Sequence, residues 1–134
     1  MINIIVASHG NLAHELVNTA AMIAGHQQGV FSLGLQPDDT PDTLAGRLGD
    51  VLQSLDGQEI LILVDMLNGT PFNMAARTLH RPNIECVTGV NLPILLDAVL
   101  TREDGDVRDL AARLEEAGPQ TIRNLRPLLK KPVE

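Results

Sequence analysis

Four short apolar runs, separated by longer stretches with helical spacing, constrain the fold of this chain more than any other feature. The runs cover residues 4–7, 30–33, 60–64 and 84–87, and turn-forming residues flank them. β-Branched residues dominate these runs, which is typical of strands. Strands that alternate with helices require right-handed crossovers, and such crossovers place helices on both faces of a parallel sheet. We therefore predict an α/β fold with a doubly wound, mostly parallel open sheet of four parallel strands.

Local signals set the element boundaries and the domain organisation. Thr40 and Thr70 each precede a proline, which predicts a hydroxyl N-cap followed by proline at the first helical position. Residues 121–125 predict a short fifth strand near the C-terminus. A chain of 134 residues has room for one domain only. We therefore assign residues 1–126 to a single domain and residues 127–134 to a short tail.

The composition argues against several classes of ligand. The chain carries 17 acidic and 10 basic side chains, and this formal charge of −7 repels nucleic acid. It has no Trp, no Tyr and only two Phe, so we expect neither base-stacking platforms nor pockets for sugars or flavins. The N-terminus lacks a basic leader and no apolar stretch approaches membrane-spanning length. These features predict a cytoplasmic protein that binds no nucleic acid and no cofactor.

Polar residues at the ends of the predicted strands are the candidates for chemistry, because ligands of such sheets bind there. His9 follows the first strand, and Asp65 follows the third. A carboxylate at the end of a buried strand is costly unless it is hydrogen-bonded. If these two strands are neighbours, Asp65 accepts from one ring nitrogen of His9 and leaves the other as a nucleophile. The structural alternatives are a histidine that caps nearby backbone and an aspartate that caps its own turn.

The segment that follows Asp65 suits an anion. Asn68, Gly69 and Thr70 supply a flexible turn, backbone amides at a helix start and a hydroxyl donor. A plain Asn-Gly turn with a threonine N-cap is the alternative interpretation. Together with a histidine nucleophile and an orienting carboxylate, the turn describes a phosphoryl acceptor, whose catalysis rests on positioning and charge stabilisation.

Other activities lack a necessary part. A receiver domain needs acidic residues after its first strand, where this chain has Ser8 and His9. Neither nucleotide-binding fingerprint occurs, and no cluster of His, Cys and carboxylates has metal-ligand spacing, so no metal site is predicted. Cys86 lies in an apolar run and is expected to be a buried hydrophobe. The remaining histidines receive no role: His14, His26 and His80.

Three motifs resemble one family. They are residues 4–10 (Ile-Ile-Val-Ala-Ser-His-Gly), residues 65–73 (Asp-x-x-Asn-Gly-Thr-Pro-Phe-Asn) and residues 88–93 (Thr-Gly-Val-Asn-Leu-Pro). Their order and spacing resemble the enzyme IIA component of the mannose family of the bacterial phosphoenolpyruvate-dependent sugar phosphotransferase system. The resemblance spans nearly the whole chain.

The resemblance implies a role for each motif. His9 accepts a phosphoryl group from the histidine phosphocarrier protein and passes it to a IIB component, which serves the membrane subunits IIC and IID. Asp65 hydrogen-bonds the imidazole, and Gly69, Thr70 and their neighbours contact the phosphoryl group. The family is usually homodimeric, with a C-terminal strand that packs across the partner, which gives residues 121–125 a purpose. Peripheral association with the membrane transporter follows from these partners.

Two departures from the family pattern concern the phosphate contacts. Asn68 replaces a frequent second glycine, and Thr70 replaces the commoner serine. Neither change removes a hydroxyl or a backbone amide. The resemblance assigns no sugar, because a IIA component binds only other proteins. A regulatory phosphohistidine module, such as the related domain that serves a dihydroxyacetone kinase, is the alternative function.

Overall fold

Four strands form one sheet in the computed structural model, which describes residues 1–129. In chain order they are β1 (Asn3–His9), β2 (Val30–Leu35), β3 (Ile60–Val64) and β4 (Ile84–Thr88). They lie side by side in the order β2-β1-β3-β4, and every adjacent pair is parallel. The chain moves outward from β1 in both directions, so the predicted doubly wound sheet is confirmed.

Helices cover both faces of this sheet, and a short 3-10 helix (Gly118–Thr121) follows the fifth of them. The α-helices are α1 (Leu12–Ala24), α2 (Pro41–Ser54), α3 (Thr70–Ala76), α4 (Leu92–Thr101), α5 (Val107–Ala117) and α6 (Leu125–Leu129). None of them, within residues 1–129, is long and apolar enough to cross a membrane.

Two apolar layers flank the sheet. Neighbouring residues of a strand point to opposite faces, so Val6 packs with α1, α4 and α5, whereas Ile5 packs against residues of α2 and α3. Both layers exclude water, and every residue of β3 is buried. This burial on two faces explains why the central strands read as continuous apolar runs.

The two predicted threonine caps differ in outcome. Thr40 caps α2 as predicted, since its side chain accepts from the backbone N–H of Thr43 in a capping box. Thr70 is not an N-cap: it is the first residue of α3, and the cap position belongs to Gly69, which offers no side chain. Asn68 and Gly69 have positive φ angles of 68° and 100°, so the left-handed turn ends directly before Thr70. The helix therefore begins at Thr70, one residue earlier than the sequence predicted.

The predicted fifth strand is wrong within this chain. Thr121 ends the 3-10 helix, residues 122–124 are irregular, and Leu125 begins α6. The Thr121 hydroxyl donates to the carbonyl of Gly118 at 2.7 Å and accepts from Nδ2 of Asn91 at 2.8 Å, which holds the segment in a turn. The tail predicted over residues 127–134 begins inside α6, and its residues 130–134 lie outside the described part of the chain.

Candidate active site

His9 and Asp65 meet at the carboxyl ends of two adjacent strands. His9 is the last residue of β1, and the register that pairs Ala7 with Val64 places Asp65 beside it. Oδ2 of Asp65 lies 2.8 Å from Nδ1 of His9 and accepts from the backbone N–H of the same residue at 3.0 Å. The pair proposed from the sequence is therefore in direct contact.

The pair is asymmetric in exposure. The His9 side chain is 46% exposed and the Asp65 side chain 11%. Oδ1 of Asp65 is buried and has no hydrogen-bond partner among the described residues, so the carboxylate is directed entirely at His9. An ionised carboxylate only accepts hydrogen bonds, which requires Nδ1 to carry the proton. The lone pair of the neutral ring is then on Nε2, which faces away from Asp65.

The turn before α3 lies against the free edge of this imidazole. A methyl group built on Gly69 would stand 3.1 Å from Cε1 and 3.4 Å from Nε2 of His9. Gly69 also needs its φ of 100°, a conformation that other residues rarely adopt. Asn68 is exposed and Thr70 partly exposed beside it. The structure thus brings together all five residues singled out from the sequence.

A buried serine fixes the loop that carries His9. The Ser8 hydroxyl accepts from the backbone N–H of Ala13 at 2.7 Å and donates to the carbonyl of His9 at 3.0 Å. Asn11 is the N-cap residue of α1, but its side chain makes no capping hydrogen bond. Ser8 therefore supplies the missing cap from within the strand. This role of Ser8 was not predicted, although a serine shortly before a helix start is a usable signal.

The end of β2 supports the same loop from the other side. The Gly10 N–H donates to the carbonyl of Leu35 at 2.8 Å, and Gln36 Nε2 donates to Asn11 Oδ1 at 2.8 Å. A Cβ on Gly34 would overlap the carbonyl oxygen of Gly10. The close approach of Gly34 to Gly10 was not predicted, because it depends on the pairing of β1 with β2 and no local sequence pattern indicates that pairing.

Acidic side chains follow on the loop between β2 and α2. Asp39 accepts from the backbone N–H of Gln36 at 2.8 Å and from Arg47 at 2.9 Å, and these bonds hold the pKa of Asp39 below its ordinary value. Asp38 and Asp42 are exposed on either side. Among residues 1–129, no group of three or more His, Cys, Asp or Glu side chains is arranged to hold a metal ion.

A cavity of about 730 Å³ lies elsewhere, along β4 and under α5. Glu85, Arg108 and Ile122 line it, and His9 is not one of its lining residues. The half-exposed His9 is instead reached from the surface, at the edge formed by the strand ends. Such an open position suits the transfer of a chemical group between His9 and another protein.

Comparison with known proteins agrees with this geometry. A family model named EIIA-man and described as a phosphotransferase system (PTS) fructose IIA component matches residues 3–115. The chain is 34% identical over 136 residues to the PTS mannose-specific EIIAB component of Escherichia coli (strain K12), covering 99% of this chain and 41% of that protein. It is 30% identical over 125 residues to the PTS fructose-specific EIIA component of Bacillus subtilis (strain 168), covering 92% and 86% of the two chains.

A solved structure shares the fold. The crystal structure of phosphotransferase system component EIIA from Streptococcus agalactiae superposes with a TM-score of 0.85 at 31% identity, over 93% of this chain and 98% of that chain. This chain spans less than half of the E. coli relative, at 41% of its length. It covers the B. subtilis relative almost completely, at 86%. With the family match over residues 3–115, these similarities show that the chain belongs to the EIIA-man family of phosphotransferase system IIA components.

Proposed function

We propose that this chain is a phosphorelay component of a sugar phosphotransferase system, with Nε2 of His9 as phosphoryl acceptor and donor. The observation that carries the proposal is the 2.8 Å contact between Nδ1 of His9 and Asp65, which directs Nε2 outward. Family membership supports the same role. The phosphoryl donor is the histidine phosphocarrier protein, and the acceptor is a IIB component.

The chemistry needs only groups already described. The Nε2 lone pair attacks the phosphorus of the phosphohistidine on the carrier, and the bond from that phosphorus to the carrier nitrogen breaks. The carrier imidazole leaves with the electron pair. Positive charge then develops on the His9 ring, and the carboxylate of Asp65 offsets it through Nδ1–H. Transfer to IIB is the same step, with His9 as the leaving imidazole.

The turn before α3 is proposed as the site of the phosphoryl oxygens. Gly69 lies beside Nε2, and the backbone amides of Asn68, Gly69 and Thr70 lie at the end of this turn. The Thr70 hydroxyl makes no capping hydrogen bond at the helix start and is an additional donor. Backbone amides in such a turn form a concave anion site that requires no basic side chain.

We also propose that the chain works as a homodimer. No residue of α6 is buried, and Ile122 and Leu125 are 80% and 60% exposed. A helix of this length is marginal in water without packing. The segment therefore has apolar surface available for a second copy. Light scattering at micromolar concentration should give the mass of a dimer, and the mass of a single chain would contradict this assembly.

Reconstitution of the relay tests the function. Incubation with phosphoenolpyruvate, enzyme I and the phosphocarrier should label the protein in an acid-labile, base-stable form. Addition of the cognate IIB component, which links the chain to the membrane subunits IIC and IID, should remove the label. Label that survives in His9→Ala would overturn the assignment. Label that stays on the wild-type protein with every IIB tested would instead favour the regulatory phosphohistidine module.

A further inference from the structure

Asn68 and Gly69 form the only Asn-Gly pair in the sequence, and both are exposed in the turn between β3 and α3. Asn68 has a φ angle of 68° and is the only non-glycine residue with a positive φ among residues 1–129. Asparagine adopts this conformation more readily than most residues, but glycine adopts it without strain. Asparagine at this position therefore adds a reactive side-chain amide that the shape of the turn does not require.

The surroundings of Asn68 differ from those of other asparagines in the chain. Four asparagine side chains take part in hydrogen bonds that hold them in place: Asn3, Asn11, Asn83 and Asn91. Asn68 is instead exposed to solvent. Among residues 1–129, no backbone carbonyl accepts a hydrogen bond from the N–H of Gly69. The side-chain amide and the backbone nitrogen that follows it are therefore both available for reaction with each other.

An asparagine that precedes glycine cyclises more readily than other asparagines, because glycine has no side chain to obstruct its own nitrogen. The backbone nitrogen of Gly69 attacks Cγ of Asn68 and forms a new C–N bond, which closes a succinimide ring. The bond from Cγ to Nδ2 breaks, and the amide leaves as ammonia with the proton that the Gly69 nitrogen gives up. Water then opens the ring. Hydrolysis at Cγ leaves aspartate, and hydrolysis at the main-chain carbonyl carbon leaves isoaspartate.

Each product changes the turn that lies against His9. Gly69 stands beside the imidazole, since a methyl group on it would be 3.1 Å from Cε1 of His9. The succinimide has no N–H at position 69, so the turn loses one of the amides proposed to hold the phosphoryl oxygens. Aspartate restores that N–H but adds a negative charge, which repels an incoming phosphoryl group. Isoaspartate adds the same charge and also inserts an extra carbon into the main chain of the turn.

We propose that Asn68 is a site of spontaneous deamidation, and that its conversion to aspartate or isoaspartate slows phosphoryl transfer to His9. The modification follows from the sequence and the exposure of the turn, whereas its effect on transfer rests on the proposed function of His9. Protein that ages in solution should therefore lose activity while it stays folded.

Peptide mapping of aged protein tests the modification. The full chain is incubated at mildly alkaline pH and digested with trypsin, and its peptides are compared with those of fresh protein. The peptide with Asn68 should gain the mass difference between an amide and an acid, and isoaspartyl methyltransferase should methylate it. Because Asn73 lies in the same tryptic peptide, fragmentation must place the change at residue 68. Deamidation of Asn68 no faster than that of the hydrogen-bonded Asn83 would overturn the proposal.

Loading from the carrier tests the consequence. Each protein is compared with its own rate before incubation, and urea unfolding checks that it is still folded. Aged wild type should lose loading in proportion to the fraction of Asn68 converted. Asn68→Gly cannot form the succinimide and should keep the rate with which it started. Asn68→Asp reproduces one product directly and should be loaded about ten-fold more slowly than fresh wild type.

The possible failures are distinguishable. Complete conversion of Asn68 with an unchanged loading rate would contradict the effect on transfer. Equal loss of activity in aged Asn68→Gly and aged wild type would also contradict it, because the loss would then have another cause. If fresh wild-type protein takes no label from the carrier, it is the proposed function of His9 that fails, and the peptide map still decides whether Asn68 deamidates.

Discussion

Oδ2 of Asp65 accepts two hydrogen bonds from one residue, His9: one from Nδ1 at 2.8 Å and one from the backbone N–H at 3.0 Å. The first bond orients the imidazole and the second fixes the main chain that carries it. Because Asp65 follows β3 and His9 ends β1, the contact joins the two central strands of the sheet. The geometry of the reactive nitrogen is therefore set by the most buried part of the fold.

Replacement of Asp65 by asparagine should slow phosphoryl transfer while the fold survives. The amide keeps the shape of the side chain but loses the charge that favours a proton on Nδ1. Loss of a carboxylate that orients a metal-bound histidine typically costs about 10–100-fold in activity, and we expect a loss of the same order for His9. Rapid-quench measurement of loading from the carrier checks this, with Asp56→Asn as control. A rate within two-fold of wild type would mean that Asp65 does not orient His9.

Gly34 should be intolerant of a side chain. A Cβ there overlaps the carbonyl oxygen of Gly10, so Gly34→Ala must displace the His9 loop or the end of β2. We expect a loss of about 1–3 kcal/mol in the free energy of unfolding, the usual cost of overpacking, together with slower phosphoryl transfer.

Gly46→Ala is the matched control for Gly34→Ala. Gly46 lies within α2 and has no heavy atom within 4 Å of an added Cβ. Alanine should stabilise that helix by about 0.4–1 kcal/mol and leave the transfer rate unchanged. Urea unfolding and the loading rate are measured for both variants. Equal stability of the two variants would show that β2 does not constrain the loop.

Arg102 should contribute stability without contributing to transfer. Arg102 is 5% exposed, and its guanidinium donates to the carbonyls of Ile2 at 3.3 Å, Gln28 at 2.7 Å and Gly29 at 3.4 Å, at the end of the sheet opposite His9. Arg102→Met removes these donors. The carbonyl of Gly29 keeps its bond from the backbone N–H of Ile4, whereas the carbonyls of Ile2 and Gln28 lose the bond from Arg102, and the expected cost is about 1–3 kcal/mol in the free energy of unfolding.

Chemical denaturation compares Arg102→Met with Arg77→Met, an exposed arginine just after α3. The Arg77 variant should unfold at the wild-type denaturant concentration. The loading rate of folded Arg102→Met should match wild type. A stability loss below about 0.5 kcal/mol, the usual limit for surface substitutions, would contradict the role of Arg102.

Cys86 should be an unreactive thiol. Burial, with a smaller contribution from the charge of Glu85, raises the pKa of Cys86 to about 11 from 9.0. The neutral thiol is therefore the form that the fold favours, so the folded protein loses stability as the pH rises through this range. At pH 8 the thiolate fraction is about a hundred-fold smaller than in the unfolded chain. Alkylation by iodoacetamide at pH 8, with and without urea, checks this, and equal rates would contradict it.

The strands, and the positions of His9 and Asp65 at the ends of two of them, were predictable because they depend on local patterns. β-Branched runs specify the strands, and parallel strands bring their carboxyl ends to one edge. The contact itself required only that β1 and β3 be neighbours, as they are. The roles given to His9, Asp65, Asn68, Gly69 and Thr70 stay predictions until phosphorylation is measured.

Features that depend on three-dimensional context were not predictable. Residues 121–125 have strand-like composition, but side-chain bonds from Thr121 to Gly118 and Asn91 place the segment in a turn. Thr70 matches the pattern of an N-cap, yet the left-handed Gly69 before it takes that position. The requirement for glycine at position 34 arises from Gly10, in the loop that follows the neighbouring strand β1, and no local window of sequence contains both residues.

The position of the phosphoryl group on the imidazole shows whether Nε2 of His9 is the reactive nitrogen. Protein with ¹⁵N-labelled histidines is phosphorylated by the carrier, and the ring nitrogens are followed by NMR. We expect a phosphoryl group on Nε2 of His9, unshifted ring signals from the other histidines, and no phosphohistidine signal in His9→Gln. The other histidines are His14, His26 and His80. A phosphoryl group on Nδ1 of His9, or on any other residue, would contradict it.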